Sequence, residues 1–259
     1  MKPDLNIGSS GQIKESRNEL VFSYLTLRNL IGFGGMSLPL ILALLPSRSS
    51  AFHGIEPSIS DYFYTDRGDI LVVLLCVLGT FLITYAGYTR WERFLTFVAG
   101  ICGMGVAFVP TRKDCNDCKF TVHTDSGGIF PKLAGTAWHF AFAATFLFIL
   151  AILSLVFFTR SDHAEHRMPD GKRTQKGKRN LVYKICGWII IGSLAILGAY
   201  FIFKPDIHDF PIVYTFETIA VEAFGFSWLV KGQTLWPDGE HYLVKAFNNL
   251  RDPKVGATV

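Results

Sequence analysis

Charged side chains are scarce in this chain of 259 residues. Asp, Glu, Lys and Arg together make up 18% of the sequence, whereas a soluble domain carries about a quarter. Half of the residues are hydrophobic, and 23 of them are phenylalanine. Because lipid offers no water to solvate a charge, the charged residues of a membrane protein lie mainly at the ends of its apolar runs. The shortage of charge therefore argues against a soluble domain.

Three sequence signatures of enzymes are also missing. They are the glycine-rich phosphate-binding loop, the HExxH zinc motif and the GxSxG nucleophile elbow. No repeat with a period of roughly 20–50 residues is visible. The polar first segment, followed by a long apolar run, predicts that no signal peptide is cleaved. Any chemistry must therefore be argued from individual residues and their position relative to the membrane.

Six continuous apolar runs approach the ~20 residues that an α-helix needs to cross a bilayer. They cover residues 29–46, 69–88, 94–110, 136–158, 182–203 and 211–230. None shows the period-two alternation of a barrel strand. The sequence predicts an all-α, polytopic membrane protein with three parts: an N-terminal segment 1–28, a six-helix transmembrane domain 29–231 and a C-terminal tail 232–259.

The basic residues predict the orientation, because Lys and Arg accumulate on the cytoplasmic side. With the N terminus inside, 18 of the 25 basic residues fall on the inner side. We therefore expect a multi-pass inner-membrane protein with both termini in the cytoplasm. The most basic stretch, 166–180, has no interleaved aromatic residues. It is typical of a topology determinant that attracts anionic headgroups, so membrane lipids and other membrane proteins are the expected partners and nucleic acid is not.

Two cysteines form a CxxC pair on the second outer loop, at Cys115 and Cys118. Exposed cysteines in an oxidising compartment tend to pair, so a small disulfide loop is the first interpretation. A redox-active pair would need a context that lowers a thiol pKa, and a zinc site would need two further ligands, for which His123 is one candidate. Cys76, Cys102 and Cys186 lie within apolar runs and are expected to pack as small apolar residues.

Ionisable residues within the apolar runs are the strongest functional signal, because a charge at bilayer depth is costly and tends to be kept for a role. Glu217 and Glu222 lie in the sixth run, and His139 lies about one turn into the fourth. Ser60 and Asp61 approach from the loop before the second run. The two glutamates are about 140° apart around a helix. We predict an outward-facing polar cavity with these five residues as lining or catalytic candidates.

This constellation leaves four alternatives open. His139, Glu217 and Asp61 could hold a metal ion that activates water. Ser60 could act as a nucleophile with His139 as its base and a carboxylate as the orienting group. A Glu–His relay could carry protons. Finally, the groups could simply satisfy one another and join the helices by hydrogen bonds. The sequence identifies no cofactor and leaves the metal undetermined.

Several segments resemble an uncharacterised family of six-helix bacterial membrane proteins, in which a serine-rich segment precedes the second span. The similar segments are LRNLIGFGGMSLPLILAL (27–44), PSISDYFYT (57–65), AGICGMGVAFVPT (99–111), RNLVYKICG (179–187) and EAFGFSWLVKG (222–232). More distantly, PSISD is similar to the DRAM/FRAG-type membrane proteins, which are linked to lipid-anchor remodelling and autophagy regulation. The second resemblance implies a role near lipid for Ser58, Ser60 and Asp61.

The leading expectation is a membrane protein whose outward-facing cavity binds or processes a lipid. The alternatives are a non-catalytic accessory or scaffold subunit of a membrane complex and a proton-coupled carrier. Tyr62, Phe63 and Tyr64 are expected to serve as aromatic anchors at the membrane interface.

Overall fold

The computed structural model describes residues 7–45, 55–111, 136–160, 175–203, 205 and 210–232. Within these ranges the chain is all-helical, with six α-helices and no strand. The helices are α1 (Ile7–Leu44), α2 (Gly68–Thr84), α3 (Arg90–Phe108), α4 (Thr136–Ile152), α5 (Gln175–Phe203) and α6 (Ile212–Lys231). A 3₁₀ turn, Ser60–Tyr64, precedes α2, and a π-helical turn, Leu153–Phe157, continues α4. The predicted all-α class is confirmed.

In the part of the chain that the structure describes, four helices are long and apolar enough to cross a membrane, which indicates a membrane protein. These spans are Leu25–Leu44, Arg90–Phe108, Ala137–Phe157 and Lys176–Phe203. The apolar helix Gly68–Thr84 is shorter. It ends four residues before the predicted boundary, because Tyr85 adopts an extended backbone (φ −67°, ψ 114°). The sixth predicted run forms α6, where Glu217 and Glu222 lower the hydropathy.

The helix α1 begins at Ile7, well before the predicted span at residue 29. The difference arises because hydropathy detects only the apolar part of a helix, here Leu25–Leu44. A polar helical extension has no such signal.

Each helix packs against its neighbours in the chain, and α6 closes the ring by packing on α1, with a further contact between α4 and α6. Two pairs of glycines permit close approaches between helix backbones. A Cβ atom at Gly225 would lie 2.7 Å from the Gly32 carbonyl oxygen of α1, and one at Gly79 would lie 2.9 Å from the Gly100 carbonyl oxygen of α3. The absence of a side chain at these glycines lets the helix backbones approach closely.

Contacts at the two ends of the bundle show that α1 and α6 run antiparallel to each other. At one end, the Tyr214 hydroxyl at the start of α6 donates to the Pro39 carbonyl oxygen near the end of α1 (2.9 Å). At the other, the Arg28 guanidinium of α1 donates to the Lys231 carbonyl oxygen at the end of α6 (3.3 Å). We refer to these as the Ser60 end and the Arg28 end.

Candidate functional site at the Ser60 end

The segment before α2 folds into a compact turn that is tied to the bundle. The Ser58 hydroxyl accepts a hydrogen bond from the Asp61 backbone N–H (3.1 Å), which is a local cap typical of serine in turns. The Tyr62 backbone N–H donates to the Ile59 carbonyl oxygen (3.3 Å) and continues the 3₁₀ geometry. These bonds fix the backbone on both sides of Ser60.

Tyr62 anchors this turn in the core, which corrects its predicted place at the membrane interface. Its side chain is completely buried, and its ring lies 6.1 Å from the Tyr214 ring and 5.6 Å from the Arg67 guanidinium carbon. Burial raises the pKa of the Tyr62 phenol above its ordinary value, so the hydroxyl remains protonated at neutral pH. Phe63 and Tyr64 are half-buried.

His139 and Ser60 are in direct contact. His139 lies in the first turn of α4, and its Nε2 atom is 2.8 Å from the Ser60 Oγ atom. Both side chains are buried, at 2% and 9% exposure respectively. Two of the predicted site residues are therefore paired across the bundle, at the distance that a nucleophile and its base require.

The other ring nitrogen of His139 is held by the backbone. Its Nδ1 atom lies 2.6 Å from the Val109 carbonyl oxygen. That carbonyl is available because α3 ends at Phe108, so no later helical N–H bonds to it; Val109 precedes a proline, which disfavours a helical conformation there (φ −117°, ψ 81°). Since a carbonyl oxygen only accepts, Nδ1 carries the proton in the neutral ring, and Nε2 accepts from Ser60.

The group that orients His139 is thus a backbone carbonyl, whereas the serine-nucleophile alternative drawn from the sequence had a carboxylate in that role. Asp61 remains within electrostatic range of both His139 and Glu217. Glu217, on α6, binds the backbone instead: its Oε2 atom accepts from the Ile59 N–H at 2.8 Å. Glu217 therefore positions the residue before Ser60.

Glu222 does not join this hydrogen-bond network. Its Oε1 atom is buried and has no hydrogen-bond partner among the described residues. The helical offset predicted from sequence explains the separation, since five residues rotate the side chain away from the face of Glu217.

A cavity of about 70 Å³ adjoins the turn. Ser60 and Glu217 are the polar side chains in its described lining, and the remainder is apolar, including Leu71, Leu75, Leu78, Phe146, Leu147 and Phe224. One water molecule needs ~10–15 Å³. The cavity is therefore large enough for the reacting part of a molecule but too small for a whole lipid.

The alternative of a metal site receives less support. Within the described ranges, no three His, Cys, Asp or Glu residues form a group that could hold a metal ion. Cys115, Cys118 and His123 lie outside the described residues. Cys76, Cys102 and Cys186 are free thiols, and the last two are buried as expected.

A second polar cluster, at the Arg28 end, was not predicted from sequence. Two nitrogens of Arg28 donate to the Tyr85 hydroxyl (3.3 and 3.2 Å), which donates to Glu92 Oε1 (3.2 Å). Arg28 is only 3% exposed and Glu92 only 1%. One sequence pattern could have indicated part of this cluster: the helix-capping pattern T-x-x-E at Thr89–Glu92. The Thr89 hydroxyl oxygen caps α3 by accepting a hydrogen bond from the Glu92 N–H (3.1 Å).

No family model, curated protein or solved structure matches the chain. Its function must therefore be inferred from the geometry of its own residues.

Proposed function

We propose that the chain is a six-crossing inner-membrane protein, with both termini in the cytoplasm, that binds a membrane lipid near its outer face and processes it through Ser60. Four helices have the length and hydropathy of a span. The shorter α2 and the glutamate-bearing α6 occupy places in the same closed ring, and α6 runs antiparallel to α1. The positive-inside rule favours the Arg28 end as the cytoplasmic one.

The observation that carries the proposal is the pairing of Ser60 with a correctly protonated histidine. His139 presents an unprotonated Nε2 atom to the Ser60 hydroxyl at 2.8 Å, because its Nδ1 proton is directed to the Val109 carbonyl oxygen at 2.6 Å. This is the arrangement of a serine nucleophile and its general base. Asp61 supplies a negative charge within electrostatic range of the ring.

The reaction class that fits these groups is acyl transfer from a lipid ester. Ser60 Oγ attacks the ester carbonyl carbon while His139 Nε2 takes the hydroxyl proton, and His139 then passes that proton to the leaving alcohol. Water or a second alcohol attacks the acyl-serine and gives its proton to Nε2. The Ser60 oxygen leaves and regains that proton, so atoms and charge balance.

A lipid is the favoured substrate because of where the serine lies. The cavity beside Ser60 is lined mainly by apolar side chains from α1, α2, α4 and α6. Such a surface suits the apolar part of a lipid next to its ester, and it excludes water from the acyl-serine.

A fluorophosphonate, which phosphonylates activated serines, tests the nucleophile directly. We expect the full-length protein in mild detergent to be labelled at Ser60, as read by peptide mass spectrometry. The variant His139→Gln should be labelled about a hundredfold more slowly, which is the lower range for loss of a general base. Ser37→Ala is the matched control, because the Ser37 hydroxyl donates to the Gly34 carbonyl oxygen within its own helix (3.0 Å).

The substrate class is tested separately by lipidomics of membranes from cells that express the wild type or Ser60→Ala. An ester lipid should accumulate in the variant. Absence of label at Ser60, together with unchanged membrane and co-purified lipids, would contradict the proposal.

A non-catalytic accessory subunit is the second candidate, and the same burial favours it. Both ring nitrogens of His139 are hydrogen-bonded, so the residue is able to lock α4 to the Ser60 turn and to the end of α3. This function predicts an unreactive Ser60, unchanged lipids and protein partners that co-purify in mild detergent.

A further inference from the structure

A second and larger cavity opens at the Arg28 end. Its volume is about 680 Å³, which lies within the ~300–1,000 Å³ range of small-molecule sites. Residues from α1, α3, α5, α6 and the end of α4 line it. It lies at the opposite end of the bundle from Ser60, so its role is independent of the proposed acyl chemistry.

The described lining is strongly positive. Five basic side chains face one carboxylate, that of Glu92; the basic residues are Arg28, Arg160, Lys176, Arg179 and Lys231. Both oxygens of Glu92 already accept hydrogen bonds within the protein, Oε1 from the Tyr85 hydroxyl (3.2 Å) and Oε2 from the Tyr88 N–H (2.9 Å). The carboxylate is therefore committed to the wall of the cavity.

Aromatic rings hold several of these cations in place. The Arg28 guanidinium carbon lies 5.1 Å from the Tyr88 ring centroid, and Lys231 Nζ lies 5.2 Å from the same ring. The Arg160 guanidinium carbon lies 5.4 Å from the Phe157 ring centroid. Cation–π contacts orient the Arg160 and Lys231 cations without using their hydrogen-bond donors, whereas the Arg28 nitrogens already donate to the Tyr85 hydroxyl and the Lys231 carbonyl oxygen. The wall is thus organised before any ligand arrives.

Positive charges brought together at a partly buried surface repel one another, so such a cluster is costly unless an anion completes it. Arg160 presents forked donors that match the oxygens of phosphate, and Lys176 and Lys231 add two further positive charges. A ligand whose only anionic group is one carboxylate would occupy only a small part of the cavity volume. The charge, donor geometry and size together favour a ligand with one or more phosphate groups.

We propose that this cavity binds a phosphate-bearing anion. The ligand has two possible sources, because the cavity lies at the end of the bundle where the positive-inside rule places the cytoplasmic headgroups. A phosphomonoester lipid would enter from the membrane, whereas a soluble di- or polyphosphate would enter from the water. Both sources share the same recognition chemistry.

The experiment uses the full-length protein in phosphatidylcholine nanodiscs and has two arms. Inorganic pyrophosphate is titrated by calorimetry to test a soluble ligand. Phosphatidic acid is added to the nanodisc lipid, and native mass spectrometry then counts the lipid molecules that remain bound to the released protein. Saturable binding in the first arm alone identifies a soluble phosphate, and retention in the second alone identifies a lipid headgroup; either result supports the proposal.

A pair of double variants with equal loss of charge makes the test specific. R160Q/K176Q removes two cations from the cavity lining, while R90Q/K178Q removes two exposed cations of α3 and α5 outside it. Arg160 is exposed and Lys176 half-buried, so folding should be retained, which the thermal transition checks. We expect the cavity variant to bind about tenfold or more weakly, given the strength of charge-assisted hydrogen bonds, and the control to bind like the wild type. No saturable binding in either arm, or equal weakening in both variants, would overturn the proposal.

Discussion

The His139 Nε2 atom lies 2.8 Å from the Ser60 Oγ atom, although 79 positions separate the two residues in the chain. This bond connects α4 to the turn before α2, and the Val109 carbonyl oxygen fixes the histidine from its other side. A buried hydrogen bond of this kind has a structural consequence whether or not Ser60 reacts, because removal of one partner leaves the other unpaired in a dry environment.

Ser60→Ala and His139→Phe should therefore show coupled effects on stability. Each single change leaves a polar group without its partner, while the double change removes both ends of the bond. We expect a coupling energy of about 0.5–3 kcal/mol in the free energy of unfolding, measured in mixed micelles.

The control for this cycle combines Ser60→Ala with Ser154→Ala. The Ser154 hydroxyl is hydrogen-bonded to the Ser227 hydroxyl of α6 (3.0 Å), and the described hydrogen bonds of Ser60 and His139 do not include it. Those two effects should add. An additive result for Ser60 and His139 as well would show that they do not interact in the folded protein.

The positions of Ser60, His139 and Glu217 at one end of the bundle were predictable from sequence. Hydropathy fixes where a chain enters the membrane, and counting residues along each run then gives an approximate depth. The prediction could not specify contacts between helices, because depth carries no information about which faces meet. Glu222 illustrates this limit, since it shares a helix with Glu217 but lies outside the network.

Two other features could not be predicted for different physical reasons. The partner of His139 Nδ1 is the Val109 carbonyl oxygen, a backbone group that every residue carries and no composition reveals. The burial of Glu92 could not be predicted, because Glu92 lies at the polar flank of an apolar run, where a carboxylate is usually solvated. It is buried here because the chain after α2 folds over it through Tyr85 and Tyr88.

Glu217 should stabilise the Ser60 turn through its acceptor oxygen rather than through its charge. Glu217→Gln retains an oxygen for the Ile59 N–H, which now lies 2.8 Å from Oε2, and we expect only a small loss of stability. Glu217→Ala leaves that N–H unpaired and should cost about 1–3 kcal/mol in the free energy of unfolding.

Glu222→Gln and Glu222→Ala are the matched pair of control variants. Neither should be strongly destabilising, because no described group bonds to the Glu222 Oε1 atom. Equal losses for Glu217→Gln and Glu217→Ala would argue that the charge itself is required.

The Tyr85 hydroxyl should be essential for the packing of the Arg28 end. It accepts from Arg28 and donates to Glu92, so Tyr85→Phe removes a bridge between two buried charged groups. We expect a loss of about 2–4 kcal/mol in the free energy of unfolding, because hydrogen bonds to charged groups contribute about 1.5–3 kcal/mol each and some water will enter. Tyr200→Phe, at a half-buried tyrosine of α5, is the control and should change stability little. A Tyr85→Phe variant as stable as the wild type would mean that Arg28 and Glu92 pair without the bridge.

Close helix packing at Gly225 gives a last prediction with an internal control. An added Cβ atom there would lie 2.5 Å from Met36 Cγ and 2.7 Å from the Gly32 carbonyl oxygen, so α6 would have to move away from α1. We expect Gly225→Ala to cost about 1–3 kcal/mol in the free energy of unfolding, as overpacking does in other cores.

At Gly192 in α5 no described atom lies within 4 Å of the added Cβ. Alanine favours a helix over glycine by about 1 kcal/mol, so Gly192→Ala should leave stability unchanged or raise it. Thermal unfolding of both variants in the same detergent measures the difference, and a Gly225→Ala variant that gains as much as Gly192→Ala would contradict the close contact between α1 and α6. Because α6 also carries Glu217, a displaced α6 should slow fluorophosphonate labelling of Ser60 in Gly225→Ala but not in Gly192→Ala.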